Sequence, residues 1–551
     1  MKLVMQVMLA SMVALVPWFN TASAQSELEA GPSVVLSVSS LDEQFSDVKY
    51  LMGKAGFGDF AVMVDMATGE YVRGIDKTQP ICISVFFREG EIEPVIVGFV
   101  PIVDLDDVLD TVADYADIEE NGDEVTIIMD DGTEMHVRQT DGYAIVSNDT
   151  DMLANAPVTP ESLLGDLPSQ YNISGKMFVQ RIPNDLRDII MDGIRQGFDE
   201  GLSELEDEGI AIEDMDAQIK QIEETIEDAD EMVMGLNINQ EGNAINLDIS
   251  MTGLPDSKLA RQSEAGAAAS DFAGFMSADA SVAMNTCSGM LEEDVEYAVE
   301  QMNQFSEGVL DQMFAESNLS DEEAIFVEDV LTDFKSILID TMKQEQKVDF
   351  AMAAIVDDEQ FEVAGGGLIA DSSEFDEMVR SIINEMNEKA GEEGIDVEVI
   401  FNNGSHAGVQ FHTVTVQVPS SEEEARDLFG EELNVVFGVG EKAGYFGVGN
   451  DPVSVISAAI DRSKVSGASD DLPAMMFTMT ATPLLEFLYR MQNDDALLQM
   501  IEVLEEGGND RFQVVLDFIE RGQFLRVELQ DGFIQLAEVL FAEMGGMQQD
   551  F

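Results

Sequence analysis

The sequence predicts an α+β protein built from two related halves, each an antiparallel sheet with packed helices and a helical insertion. Short apolar and β-branched runs end in Gly- and Asn-bearing turns, the signature of antiparallel hairpins. Stretches of helical periodicity stand apart from them behind Asp or Asn-Asp caps, which favours α+β over a doubly wound parallel sheet. The same elements then return in the same order in the second half of the chain.

Ahead of the first strand, Lys2, the apolar stretch Leu3 to Trp18 and the small residues Ala22-Ser23-Ala24 read as a secretory signal over 1–24, cleaved before Gln25. The apolar run is short for a bilayer span, and no later segment reaches about 18 consecutive apolar residues. The mature chain is therefore expected to be exported, periplasmic or extracellular, with no integral membrane segment.

Each half opens with a strand and a helix: Val34 to Val38 before Leu41 to Met52, and Ala280 to Met284 before Met290 to Phe305. The strand Val95 to Val103 leads into a helix capped by Asp104, with Asp107 three residues on. Phe361 to Ala370 leads likewise to Asp371 and Glu374. Turns at Asp130-Asp131-Gly132 and Asn402-Asn403-Gly404 divide Val125 to Val137 and Val397 to Val418 into hairpins. Tyr143-Ala-Ile-Val-Ser-Asn148-Asp149 and Tyr445-Phe-Gly-Val-Gly-Asn450-Asp451 match in spacing, each running from a Gly-bearing turn into a helix near an Asn-Asp cap. Gly175 to Arg181 and Leu472 to Thr480 lead through Pro183 and Pro483 into helices, and Gly242 to Ser250 and Gly522 to Gln530 close the halves as strands. Helical insertions are expected over Asn184 to Met234 and Met290 to Lys343. The border is placed within Pro255 to Phe275, giving domains at 25–260 and 261–551.

Charge excludes several partners. The chain has 110 acidic and 27 basic residues, a net charge of −83. No basic stripe or Arg/Lys cluster with interleaved aromatics is present, so nucleic acid and anionic lipid are not expected partners. Apolar residues make up 45% of the chain, which places it among folded proteins with acidic surfaces rather than disordered acidic tails. Salt or divalent cations are expected to relieve the self-repulsion. Cys82 and Cys287 supply at most one disulfide and read more simply as small buried hydrophobes.

The strand, the Asp-capped helix, the hairpin Asp141-Gly-Tyr-Ala-Ile-Val-Ser-Asn-Asp149 and the strand-ending Leu254-Pro-Asp-Ser-Lys-Leu-Ala260 together resemble uncharacterised secreted proteins of planctomycete-type bacteria. The resemblance covers most of the mature chain and implies a duplicated, exported α+β protein. It carries over no catalytic or ligand residue, and the second copy departs from the first with Gly447 and Gly449 where Ile145 and Ser147 stand.

Chemistry-bearing motifs are sparse. Asp117, Glu119, Asn121 and Asp123 have the oxygen-rich spacing and central Gly122 of a calcium loop, but Ile128 occupies the place of its bidentate Glu, so a polar connection competes with a metal site. Asp104, Asp106, Asp107 and Asp110 read as an acidic helix start. His406 and His412 would stand roughly 20 Å apart on one uninterrupted strand, unless Gly408 bends it. Gly365-Gly366-Gly367 reads as a bulged or loosened strand, with close approach to a ligand as the other reading. Gly438, Gly440 and Gly444 lack dinucleotide spacing and read as a hairpin turn. Zincin, nucleophile-elbow and phosphate-loop motifs are missing. The leading functional expectation is an acidic, non-enzymatic binding or envelope-associated protein with a protein or glycan partner and no identified cofactor. An extracellular hydrolase using distant paired carboxylates and a calcium-stabilised surface protein are the alternatives.

Overall fold

A computed structural model describes residues 31–536 apart from 59–63, 65–67, 70, 89, 92, 122, 123, 190, 194, 197–214, 301, 304–320, 357–360, 394, 422–425, 427, 428, 466–471 and 493. The signal read at 1–24 lies outside the described residues. Helices and antiparallel strands make up the chain, a mixed α+β architecture, and it divides into two compact units. One comprises Met1–Ser203, Gln218–Leu254 and Glu528–Phe551; the other comprises Glu204–Ala217 and Pro255–Val527. No described helix is long and apolar enough to cross a membrane.

The first unit contains β1 (Val34–Ser40), β2 (Pro80–Phe86), β3 (Val95–Pro101), β4 (Asp117–Asn121), β5 (Glu124–Ile128), β6 (Glu134–Gln139), β7 (Tyr143–Ser147), β8 (Ile173–Phe178), β9 (Ala229–Asn239) and β10 (Ala244–Gly253). They pair antiparallel in the order β4-β5-β6-β7-β3-β2-β1-β8-β9-β10. The insertion expected over Asn184 to Met234 therefore stops short, because 229–239 is a strand paired on both sides. Helices α1 (Leu41–Lys54), α2 (Leu105–Val112) and α3 (Thr150–Asn155) begin where small polar side chains accept otherwise orphaned backbone N–H groups: Ser40 from Glu43, Asp104 from Asp106 and Asp107, and Asp149 from Met152.

Strand alternation sorts side chains onto two faces. One face of the first sheet carries Val35, Cys82, Val97, Phe99 and Ile145, buried against Met152 and Leu153 of α3 and against Leu164. Farther along the chain, Asp531 joins this unit: its N–H donates to Asn243 O (2.9 Å), and its carboxylate accepts from Tyr50 Oη (2.7 Å) and pairs with Lys54 Nζ (2.5 Å).

The second unit contains β11 (Val282–Gly289), β12 (Lys347–Val356), β13 (Phe361–Leu368), β14 (Val397–Ile400), β15 (Ser405–His406), β16 (Val409–Gln417), β17 (Glu432–Val439), β18 (Ala443–Gly449), β19 (Met475–Thr480) and β20 (Arg511–Ile519). The antiparallel order is β14-β16-β17-β18-β13-β12-β11-β19-β20, with β15 on the end of β16. Helices α4 (Asp321–Glu345) and α5 (Ser372–Glu393) bury Ile337, Phe375, Val379 and Ile383 with Val414 on one sheet face. Helix α6 (Pro452–Ser463), capped by Asp451, buries Ile456, Ala459 and Ile460 on the other with Phe272, Phe275 and Phe411. The stretch Pro255 to Phe275, read from the sequence as a border, lies inside this second unit, where Phe272 and Phe275 form part of the core.

Strand β13 keeps regular pairing with both neighbours, so Gly365-Gly366-Gly367 makes no bulge. The glycines let aromatic rings lie against the strand: a Cβ would stand 2.5 Å from the Phe446 ring at Gly365 and 2.6 Å from the Tyr445 ring at Gly366. Gly438 lies in β17 opposite Tyr445, Gly444 lies in β18 opposite Val439, and Gly440 opens the turn between them, the hairpin expected from the sequence.

Candidate functional site

Among the described residues, the second face of the first sheet is only partly covered. Near β3, β6 and β7, helix α2 lays Leu105 and Val108 over Val100, Val137, Ala144 and Val146. That helix has 8 residues, whereas α5 after β13 has 22. Toward β2, β1 and β8, the apolar face of the sheet instead opens onto a cavity of about 1210 Å³. Small-molecule sites commonly span about 300–1,000 Å³, so this one has room for a larger ligand.

Alternation explains the lining. In β1, Val35, Ser37 and Ser39 are buried on the closed face, which leaves Leu36 and Val38 toward the cavity. Register then carries the stripe across the sheet, since Leu36 stands opposite Ile83 and Gly175, and Gly175 opposite Met234. Ile81, Ile96, Ile173 and Leu236 extend it, and Leu41 and Phe45 of α1 form a wall. Ile173 is 47% and Met234 54% exposed, so the cavity is open to solvent at this end.

At the other end Ile127 and Met135, paired across β5 and β6, continue the apolar face that Val146 carries in β7, with Asp131 and Thr133 in the β5–β6 turn. Glu134 and His136 alternate to the opposite face of the sheet, where His136 Nδ1 stands 3.3 Å from Thr126 Oγ1. The Thr133 backbone N–H, donating at 2.9 Å, holds the Asp131 carboxyl below the usual carboxylate range. Arg73 also lines the cavity and pairs with Asp107 (2.6 Å). Asn148 is occupied structurally: its Oδ1 accepts from Ile96 N (2.9 Å) and its Nδ2 donates to Pro94 O (3.0 Å).

The residues singled out by motif are elsewhere. Asp117, Glu119 and Asn121 lie along β4, an extended strand that spreads their Cα atoms over roughly 13 Å, where a calcium loop wraps its ligands around one ion. Asp123 lies outside the described residues. Among the described residues, no group of three or more His, Cys, Asp or Glu is placed to hold a metal. Asp104 is a helix cap and Asp107 an ion-pair partner. Cys82 and Cys287 are free and buried, and burial pushes both thiols up to about 12, so they stay protonated at neutral pH.

His406 and His412 do not share a strand. Ala407 and Gly408, both at positive φ, turn the chain so that His406 pairs with Asp461 (2.8 Å), while His412, fully buried, donates from Nε2 to Asp376 Oδ1 (2.9 Å). Asn402 N–H donates to His412 Nδ1 (3.2 Å), which fixes the neutral tautomer. Burial and the nearby Arg380 push His412 below its ordinary value of 6.5. Against its own burial, Asp376 is held below the carboxylate range by hydrogen bonds from Arg380 and His412. Because the folded imidazole binds protons more weakly than the unfolded one, its contribution is complete above about pH 6.5 and is lost as pH falls through the folded value. Thermal unfolding between pH 5 and 8 should thus show the wild type losing its advantage over His412→Gln as pH falls. Parallel curves would sink this assignment.

A second cavity, of about 290 Å³, lies in the other unit beside Asp271, Lys347 and Tyr445. Its lysines are engaged: Lys347 with Asp349 (2.9 Å) and Lys442 with Glu345 (2.6 Å). Sequence reasoning found neither cavity, although the alternating apolar residues of β1, β2 and β8 were the available signal for the larger one. No family model, curated protein or solved structure matches this chain, so the site stands on its own geometry.

Proposed function

We propose that this is an exported, acidic binding protein whose first unit takes up a predominantly apolar molecule. The observation that carries the reading is the cavity of about 1210 Å³, floored by a continuous apolar sheet face. Burying apolar ligand surface there contributes roughly 25 cal/mol per Å², so a long hydrocarbon binds without charged anchoring groups. Among the described residues the lining includes no buried nucleophile with an adjacent base, and binding without turnover is the simpler use of such a surface.

The two units are read as copies of one fold. Support comes from the strand order, since β4-β5-β6-β7-β3-β2-β1-β8-β9 and β14-β16-β17-β18-β13-β12-β11-β19-β20 follow the same path through the chain. Asp149 and Asp451 cap the helix after the matching hairpin in each. On this reading the copies diverged where α2 stayed short, and the uncovered sheet face became the binding surface.

Titration with the uncharged fluorescent probe N-phenyl-1-naphthylamine tests the proposal. Saturable enhancement is expected, and Ile83→Trp, which fills the cavity floor, should weaken it at least about tenfold while circular dichroism stays unchanged. Absence of saturable binding, or unaltered binding by a folded Ile83→Trp protein, would overturn the proposal.

A further inference from the structure

We infer that the smaller cavity, in the second unit, is a separate binding site for a small zwitterion, an α-amino acid with an apolar side chain. Strand register gathers its lining at one end of a sheet face. Leu368 stands opposite Ala443, and Gly366 stands opposite both Tyr445 and Ala351. Alternation then puts Lys347 and Asp349 of β12 on the same face as Leu368, Ala443 and Tyr445, the face against which Phe272 packs. The volume of about 290 Å³ is at the lower end of small-molecule sites, which suits a ligand of this size.

Polar groups around this cavity have bonding capacity left over. Tyr445 is only 7% exposed, with its ring 5.7 Å from that of Phe272 and close enough to β13 that a Cβ at Gly366 would come within 2.6 Å of it. A phenol so enclosed ordinarily finds a hydrogen-bond partner. The Tyr445 hydroxyl has none among the described residues, and the space it adjoins is the cavity. Burial, followed by the nearby Asp271 and Asp349, pushes it up to about 12, so it remains a donor at neutral pH. Lys347 Nζ uses two of its three protons, on Asp349 (2.9 Å) and Ala269 O (2.8 Å), and Lys442 Nζ uses one, on Glu345 (2.6 Å). Asp271 is held through its backbone N–H by Asp349 (2.8 Å), while its carboxylate makes no hydrogen bond or ion pair among the described residues.

Charge selects among ligand classes. A simple anion would meet Asp271, Glu345 and the field of a chain carrying −83, and a simple cation would meet two lysines. An uncharged molecule would displace water from these groups without replacing its interactions. A zwitterion offers a carboxylate to Lys442, Lys347 and the Tyr445 hydroxyl and an ammonium to Asp271, and it has no net charge for the field to repel. Phe272, Leu368 and Ala443 supply the surface for an apolar side chain.

Isothermal titration calorimetry with leucine, 4-methylpentanoate and 3-methylbutylamine tests the inference, since the last two lack the ammonium and the carboxylate respectively. Leucine should bind saturably and at least about tenfold tighter than either, the effect of losing one charge-assisted hydrogen bond. Tyr445→Phe should weaken leucine about tenfold and leave the unfolding midpoint of the free protein unchanged, because the hydroxyl holds no part of the fold. Asp271→Asn should weaken leucine and the amine but not the carboxylate, and Lys442→Gln should weaken leucine and the carboxylate but not the amine. Lack of saturable leucine binding, leucine no tighter than either truncated analogue, or undiminished binding by Tyr445→Phe would overturn the inference. Loss of leucine binding in Ile83→Trp would also overturn it, by placing the ligand in the first unit.

Discussion

Replacing Asp349 with alanine is expected to lower the stability of the second unit by about 3–5 kcal/mol, the usual cost of removing one partner from a buried ion pair. The Asp349 side chain is fully buried on β12 and serves three donors at once. Ser270 Oγ donates at 2.7 Å, Asp271 N at 2.8 Å and Lys347 Nζ at 2.9 Å. Asn285 Nδ2 donates in turn to Ser270 Oγ (2.9 Å), so the network ties β11 and β12 to the segment that carries Phe272 and Phe275 into the core. Alanine leaves the Ser270 hydroxyl and the Asp271 N–H without their acceptor in an enclosed site, and the ammonium without its counter-charge and with Ala269 O (2.8 Å) as its remaining protein acceptor. Asp349→Asn retains an acceptor and should cost clearly less. Denaturant unfolding followed by circular dichroism checks this; equal losses for the two variants would show that the negative charge, not the missing acceptor, dominates.

Gly274→Val should be comparably severe, at about 3 kcal/mol or more, by forcing atoms into occupied space. A Cβ at Gly274 would lie 1.9 Å from Ala459 O and 2.7 Å from Ser463 N, both backbone atoms of α6, so no rotamer change relieves the overlap. The close approach is also hydrogen-bonded: Gly274 N donates to Ser463 Oγ and Arg462 Nε donates to Gly274 O, each at 2.8 Å. Valine therefore separates α6 from Phe272 and Phe275 as well as straining the chain. Gly391→Ala is the matching control, since Gly391 sits in α5 with nothing within 4 Å of its Cβ direction, and should stabilise by about 0.5–1 kcal/mol. A tolerated Gly274→Val would refute the packing described.

Local chemistry was readable from the residues in order. Asp104, Asp149 and Asp451 cap helices because a carboxylate beside a helix start has orphan N–H groups within reach, whatever the rest of the fold does. Gly142 and Gly404 mark reversals because they take positive φ, and the 440–442 turn joins strands that read as a hairpin. Motifs that needed distant partners misled. Asp117 to Asn121 has calcium-loop composition but pairs with β5 as a strand, since ladder hydrogen bonds across that hairpin are satisfied only by extended backbone. The glycines of β13 read as a bulge because the aromatic rings that require them come from β18 and from the 272–275 segment.

By itself the sequence determined the mixed α+β class of the fold, the sites of turns and caps, and a net charge of −83, since each follows from local backbone preference or from summed charge. Tertiary structure alone decided that Asp531 is held by Tyr50 and Lys54, that His412 meets Asp376, and that a cavity of about 1210 Å³ adjoins one sheet face in the first unit. An alternating strand reads the same whether a helix or a cavity lies above it. Among the described residues, the short α2 leaves uncovered the apolar stripe that register draws across β2, β1 and β8, and Leu41 and Phe45 of α1 border it.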